Sequence, residues 1–127
     1  MASYLIDTHI FLWSLRDPNK LSSEARLVLE DTENIVYVSA AVSWEILVKR
    51  VKGTLPFTGD ILSILAQLSF EPLSIPHEHT ATLEQIPPIH HDPFDRIMIA
   101  QAMAENLTLI TRDKTVLKYE DVKLLKG

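Results

Sequence analysis

Apolar residues along the chain fall into short unbroken runs separated by stretches where they recur every three or four positions. Tyr4-Leu5-Ile6 is one such run, closed by the cap-type pair Asp7-Thr8, after which Ile10, Phe11, Trp13 and Leu15 are dense enough for a packed helix. Ser22 and Ser23 cap a second predicted helix carrying Ala25, Val28 and Leu29, and Ile35-Val36-Tyr37-Val38 follows as a β-branched and aromatic strand ended by Ser39. From about Ala41 to Lys52 the spacing predicts a third helix with Trp44, Leu47, Val48 and Val51 on its packed face and Gly53 as its stop. Ile61, Ile64, Leu65 and Leu68 recur at helical spacing. Phe70 to Ile75 then reads as a short strand, which Pro72 marks as an edge. His77 to Gln85 predicts a helix broken by Pro87-Pro88. Asp92-Pro93 opens another through Ile97, Ala100, Gln101 and Ala104, ending near Asn106. Thr108 to Thr111 is a further strand and Val122 to Leu125 a last one.

Strands that alternate with helices imply βαβ crossovers, hence an α/β fold in which a mostly parallel central sheet is covered on both faces. No linker, low-complexity stretch or repeat interrupts the pattern, so residues 1–127 are read as one domain.

Composition narrows the chemistry. The 127 residues are 46% hydrophobic and contain no cysteine, which excludes disulfides, thiolate metal sites and thiol catalysis and fits a cytoplasmic setting. A domain of this length buries roughly two-thirds of the surface its unfolded chain exposes, enough to fold without such staples. No apolar run reaches the span of a membrane helix, and the amino terminus lacks the pattern of a signal peptide; neither membrane insertion nor secretion is expected. Twelve Lys and Arg against 17 Asp and Glu give a net charge of −5, the wrong sign for a protein that binds nucleic acid by blanketing phosphates. Where the acids fall then matters more than their sum.

Ligands of open parallel sheets bind beyond the carboxyl ends of the strands, where the βα loops converge. Asp7 directly follows the first predicted strand, Asp113 follows Thr108–Thr111 by two residues, and Asp92 and Asp95 open a helix. Glu45 lies in the second turn of the helix after the second strand. Each acid also has a local explanation. Asp7 is a helix cap, Glu45 pairs with Lys49 four residues on, Asp92 and Asp95 suit a helix start, and Asp113 caps the Lys114–Tyr119 segment. Their convergence outweighs these readings, because two carboxylates ~4 Å apart repel by roughly 4 kcal/mol at an effective dielectric of about 20. Three or four need a cation, and an all-oxygen set suits Mg²⁺ or Mn²⁺. Such an ion serves phosphodiester hydrolysis.

The segments Leu5-Ile6-Asp7-Thr8-His9, Ser43-Trp44-Glu45-Ile46, Asp92-Pro93-Phe94-Asp95-Arg96 with Ile99-Ala100-Gln101-Ala102, and Leu109-Ile110-Thr111-Arg112-Asp113 resemble, in that order, the motifs of PIN-domain nucleases, and more narrowly of VapC-type toxins. The resemblance spans about residues 3 to 125. It implies a three-layer α/β/α domain that cuts RNA with Mg²⁺ or Mn²⁺, leaves the phosphate on the 5′ side of its product, is restrained by a cognate antitoxin protein and forms a homodimer. By position it implies Asp7, Glu45, Asp95 and Asp113 as the catalytic acids. Asp7 and Asp95 would ligate the ion, Asp113 would do so directly or through water, and Glu45 would orient or deprotonate the attacking water. Asp92 becomes a cap or supporting group, and no further acid follows Asp113 in Thr115–Leu117. Thr8 and Thr111 match hydroxyl positions that hold a metal-bound water or a phosphate oxygen, and Arg96 and Arg112 are the nearest cations to grip a phosphate. Lys49, Arg50 and Lys52 form a small basic cluster that guides RNA or is simply the wet face of its helix.

Two other features carry less. His77-Glu78-His79 and His90-His91 lack the spacing of a zinc site, although His91 is a loop residue able to touch substrate. The apolar surface around Phe11, Leu12 and Trp13 is core, or the groove in which such toxins receive their antitoxin. Two alternatives stay open: a degenerate PIN domain that binds RNA or a partner without cutting, and another Mg²⁺-dependent phosphohydrolase such as a haloacid-dehalogenase-type phosphatase. The latter wants an acid where His9 stands.

Overall fold

The computed structural model describes residues 2–127. Five strands, β1 (Ser3–Ile6), β2 (Ile35–Ser39), β3 (Glu71–Leu73), β4 (Thr108–Thr111) and β5 (Lys123–Lys126), form one sheet in the order β3-β2-β1-β4-β5. Every pairing is parallel, with Leu5 beside Tyr37 on one side and Leu109 on the other. The sheet is thus wholly parallel where the sequence pattern predicted mostly parallel. Six helices flank it: α1 (Thr8–Arg16), α2 (Ser23–Glu30), α3 (Ala40–Lys52), α4 (Ile61–Gln67), α5 (His77–Thr82) and α6 (Pro93–Ala104).

A parallel sheet covered on both faces needs apolar residues at successive positions of its inner strands. Leu5 and Ile6 of β1 and Leu109 and Ile110 of β4 meet this need and are buried, together with Ile10 and Phe11 of α1 and Met98 and Ile99 of α6. The edges are blunted by Pro72 in β3 and by Lys123 and Lys126 in β5, which disfavour pairing with another chain. Gly53 closes α3 in the left-handed conformation (φ 77°), where its N–H reaches the carbonyls of Lys49 and Arg50. The predicted His77–Gln85 helix is α-helical only to Thr82; Leu83–Gln85 tightens into a 3₁₀ turn before the prolines.

One expectation fails in an instructive way. Trp44, Leu47 and Val51 do not form the packed face of α3. They are exposed, Val51 by 88%, while Ala41, Val42, Glu45 and Ile46 are buried. The inward face of α3 thus carries Glu45 together with Ala41, Val42 and Ile46.

The order of strands reverses at β1. β2 lies on one side of it and β4 on the other, so the connections that leave β1 and β4 diverge and open a crevice at their carboxyl ends. Asp7 and Thr111 flank this point.

Candidate active site

Asp7 is the residue that leaves β1, and it is both a cap and a member of the site. One carboxylate oxygen, Oδ1, accepts the N–H of Ile10 at 2.9 Å, which starts α1. The other, Oδ2, accepts the hydroxyl of Thr111 from the end of β4 at 2.6 Å. The residue is 5% exposed. Burial pushes its carboxyl upward; the hydrogen bonds from Thr111 and Ile10 and the charge of His9 oppose the shift, and Glu45 adds to it.

Glu45 is 4% exposed, so the surface-pair reading of Glu45 with Lys49 is corrected on one side: the ion pair exists, but its acid is inside. Oε2 meets Lys49 Nζ at 2.5 Å, and Oε1 accepts the Thr8 hydroxyl at 2.5 Å. The bond to Glu45 raises the Lys49 pKa and keeps the ammonium charged.

Asp92 caps α6 through the N–H groups of Phe94 and Asp95, as its sequence context indicates. Asp95, one turn further in, faces the cluster. Its carboxyl is pushed up to about 7, first by burial and then by the charges of Asp92 and Asp7, with His90 opposing and Glu45 adding. Four acids from three segments therefore act on one another here, and Lys49 pairs with one of them, Glu45.

Asp113 divides its labour. Oδ1 accepts the N–H groups of Thr115 and Val116 at 2.8 and 3.0 Å, capping the short turn at Val116–Lys118. Oδ2 faces inward, 3.5 Å from His90 Nε2. Burial alone would raise its pKa, but the Val116 and Thr115 N–H groups and His90 hold it below the usual range.

His90 is the residue that pattern reading passed over. Its Nε2 lies 2.9 Å from Asp95 Oδ2, and His90, Asp95 and Asp113 each offer a ligand atom within 4.8 Å of the others. The signal was in the sequence, two residues ahead of Asp92-Pro93-Phe94-Asp95; the zinc spacing test looked for a different geometry. His91, its neighbour, is exposed.

Both arginines donate to backbone carbonyls. Arg112 donates to the carbonyls of Gly127 and Lys20 and lies over the Trp13 ring at 5.1 Å. Arg96 donates to the carbonyls of Ile86, Pro87 and His90. Thr8 and Thr111 likewise spend their hydroxyl protons on Glu45 and Asp7, so each orients an acid. Of the basic cluster, Lys49 is paired with Glu45 and Arg50 donates to the Gly59 carbonyl.

The donor set suits a hard divalent cation. Carboxylates from the end of β1, from α3, from α6 and from the loop after β4 converge at a sheet switch point, where burial and then the neighbouring acids raise Asp95.

Comparison with known families decides the lineage: the PIN domain profile matches residues 4–122. The chain belongs to the PIN domain family. Ribonuclease VapC22 of Mycobacterium tuberculosis is 29% identical over 122 residues, covering 90% of this chain and 89% of that protein. Among solved structures, a chain of DNA-bound VapBC from Salmonella typhimurium aligns over 98% of both chains with a TM-score of 0.72 at 13% identity. One from VapBC2 of Rickettsia felis, bound to a fragment of its promoter, aligns over 97% of both with a TM-score of 0.71 at 17% identity. These share the fold. Membership of the PIN domain family sets aside the dehalogenase-type alternative, and His9, which stands where that family needs an acid, is exposed.

Proposed function

We propose that this PIN domain is a metal-dependent endoribonuclease acting as the toxin of a toxin–antitoxin pair. The observation that carries the reading is the convergence of Asp7, Glu45, Asp92 and Asp95 into one electrostatically coupled group beside Asp113, in a chain whose relative over most of its length is a ribonuclease.

Asp7 and Asp95 would hold the ion, Mg²⁺ or Mn²⁺, with Asp113 contributing Oδ2, the oxygen its turn leaves free. When bound, such an ion neutralises the acids, acidifies water and polarises a phosphoryl oxygen. Glu45 has one oxygen on Thr8 and the other on Lys49, so its carboxylate is fixed in place and suited to orienting the attacking water. Thr111 keeps Asp7 aligned across the switch point.

A cognate antitoxin is the proposed protein partner, a reading supported by structural neighbours that are themselves toxin–antitoxin complexes. A homodimer is supported by the exposed apolar side chains of Trp44, Leu47 and Val51 on α3, a stripe of the kind that marks protein contacts.

The test is incubation of purified protein with a structured RNA pool in Mg²⁺, Mn²⁺ or EDTA, followed by end mapping. Discrete, metal-dependent cuts with 5′-phosphate ends are expected. Folded protein that binds RNA without cutting it in any metal would instead establish a non-catalytic module.

A further inference from the structure

Tryptophan carries so much apolar surface that it is mostly covered in folded domains. Trp44 is 56% exposed, and it directly precedes the buried Glu45 on α3. Its aromatic neighbour is the half-buried Phe94, which directly precedes Asp95 on α6. The ring centroids are 4.8 Å apart and the planes cross at 85°. Both helices start at the carboxyl end of the sheet, so each brings one acid to the crevice and one ring beside that acid. The rings then meet across the space between the helices.

This pair is fixed in place. A ring packed edge-on cannot cover both faces of its neighbour, so Phe94 holds the indole and leaves a face of it for another ring. The loop that leads into α6 is tied down as well. The buried Tyr119 donates its hydroxyl proton to the Pro87 carbonyl at 2.8 Å and accepts the His90 N–H at 2.9 Å, while Arg96 donates to the carbonyls of Ile86, Pro87 and His90.

The surroundings favour a nucleobase as the third ring. The chain carries a net charge of −5, and Lys49, Arg96 and Arg112 already have partners within the protein, so phosphate neutralisation gives RNA little hold here beyond the ion. Stacking on an aromatic face needs no charge and accepts any base that is unpaired. Leu47 and Val51 are aliphatic and lie later on α3, so the homodimer contact proposed for that stripe does not need the indole.

We propose that Trp44, backed by Phe94, is the base-stacking residue of this nuclease: an unpaired nucleobase beside the scissile phosphate lies on the indole, and the enzyme thereby selects single-stranded segments of RNA. This rests on the nuclease reading above and names the form of substrate that its acids receive.

Two measurements test it on the full chain. The first is intrinsic fluorescence in Ca²⁺ with oligoadenylate as the probe. Oligoadenylate is expected to quench the parent protein, and the same strand annealed to oligouridylate to leave it unchanged. Trp44→Leu should abolish the quench and weaken oligoadenylate binding about tenfold, and Trp44→Tyr, which restores an aromatic face, should recover most of the affinity. Leucine keeps an apolar side chain for a protein contact but offers no face on which a base can stack. The second is cleavage of an RNA that the parent cuts. The cuts should fall in unpaired segments, and Trp44→Leu should raise KM about tenfold, with Trp44→Tyr close to the parent. Unquenched parent fluorescence, Trp44→Leu protein that binds as tightly as the parent, or cuts within duplex RNA would each overturn the proposal. So would a Trp44→Leu protein whose mass in sedimentation equilibrium falls to that of a monomer, which would make the indole part of a contact between copies. A parent protein that binds oligoadenylate through Trp44 yet cuts no RNA would leave the stacking site standing and overturn the nuclease reading alone.

Discussion

The Thr111 hydroxyl donates to Asp7 Oδ2 at 2.6 Å, joining two residues 104 positions apart in the chain. This bond closes the carboxyl ends of β1 and β4 over the switch point of the sheet. It also leaves Asp7 with one oxygen on its own helix and one on the neighbouring strand, so the acid cannot turn away from its neighbours when they repel it.

Repulsion in the cluster makes stability depend on pH. The Asp95 carboxyl, at about 7 in the folded state, lies above its unfolded value of about 4. Its proton is therefore retained by the folded state while the unfolded chain gives it up. The contribution of Asp95 to stability is full below about pH 4 and is lost as pH rises through 7; Asp7, also raised, acts in the same direction, whereas the lowered Asp113 costs stability only on the acid side of that range. Thermal unfolding in EDTA between pH 4.5 and 7.5 should show a falling Tm in the parent chain and a flatter profile in Asp95→Asn. Parallel profiles would contradict the coupling.

A divalent cation should reverse that loss. With the ion at about a hundred times its dissociation constant, the folded state gains about 2.7 kcal/mol, or roughly 10 °C in Tm for a domain of this length. Titrating Mg²⁺ or Mn²⁺ at pH 7 while following Tm checks this, with EDTA restoring the baseline and Asp7→Asn showing a much smaller response.

Lys49 holds the charge of a buried glutamate, although its own side chain is 39% exposed. Lys49→Met should cost about 1 kcal/mol, a figure below that for a fully buried pair because water screens the lysine. Glu45→Gln in the same chain should recover most of it, as chemical denaturation of the two variants and their combination will show.

Much of this was legible in the sequence because α/β folds advertise themselves through alternating runs and because an acid after a strand is easy to see. Asp7, Asp95 and Asp113 occupy the positions their motifs indicate, and Asp113 proves to be both a cap and an inward-facing acid. Two things were hidden. The inner face of α3 could not be read from hydrophobicity, since it consists of Ala41, Val42, Ile46 and a charged Glu45 while Trp44 and Val51 face outward. The work of Arg96, Arg112 and Tyr119 was hidden too, because their partners are backbone carbonyls and N–H groups that leave no mark in the side-chain pattern.

The outward stripe on α3 carries its own expectation. Leu47 and Val51 are 40% and 88% exposed. Leu47→Asp with Val51→Asp should turn a homodimer into a folded monomer in sedimentation equilibrium. An unchanged mass would move the dimer contact elsewhere on the molecule.

The central claim is that the converged acids cut RNA through a bound divalent ion, and the most direct measurement is the cleavage rate of the parent chain beside Asp7→Asn on the same RNA at saturating Mg²⁺. The amide can still cap α1 and meet Thr111, so the variant should fold, with Tm equal or raised by a few degrees. Its rate should fall by at least about 100-fold. A folded Asp7→Asn protein that cuts as fast as the parent would contradict the account.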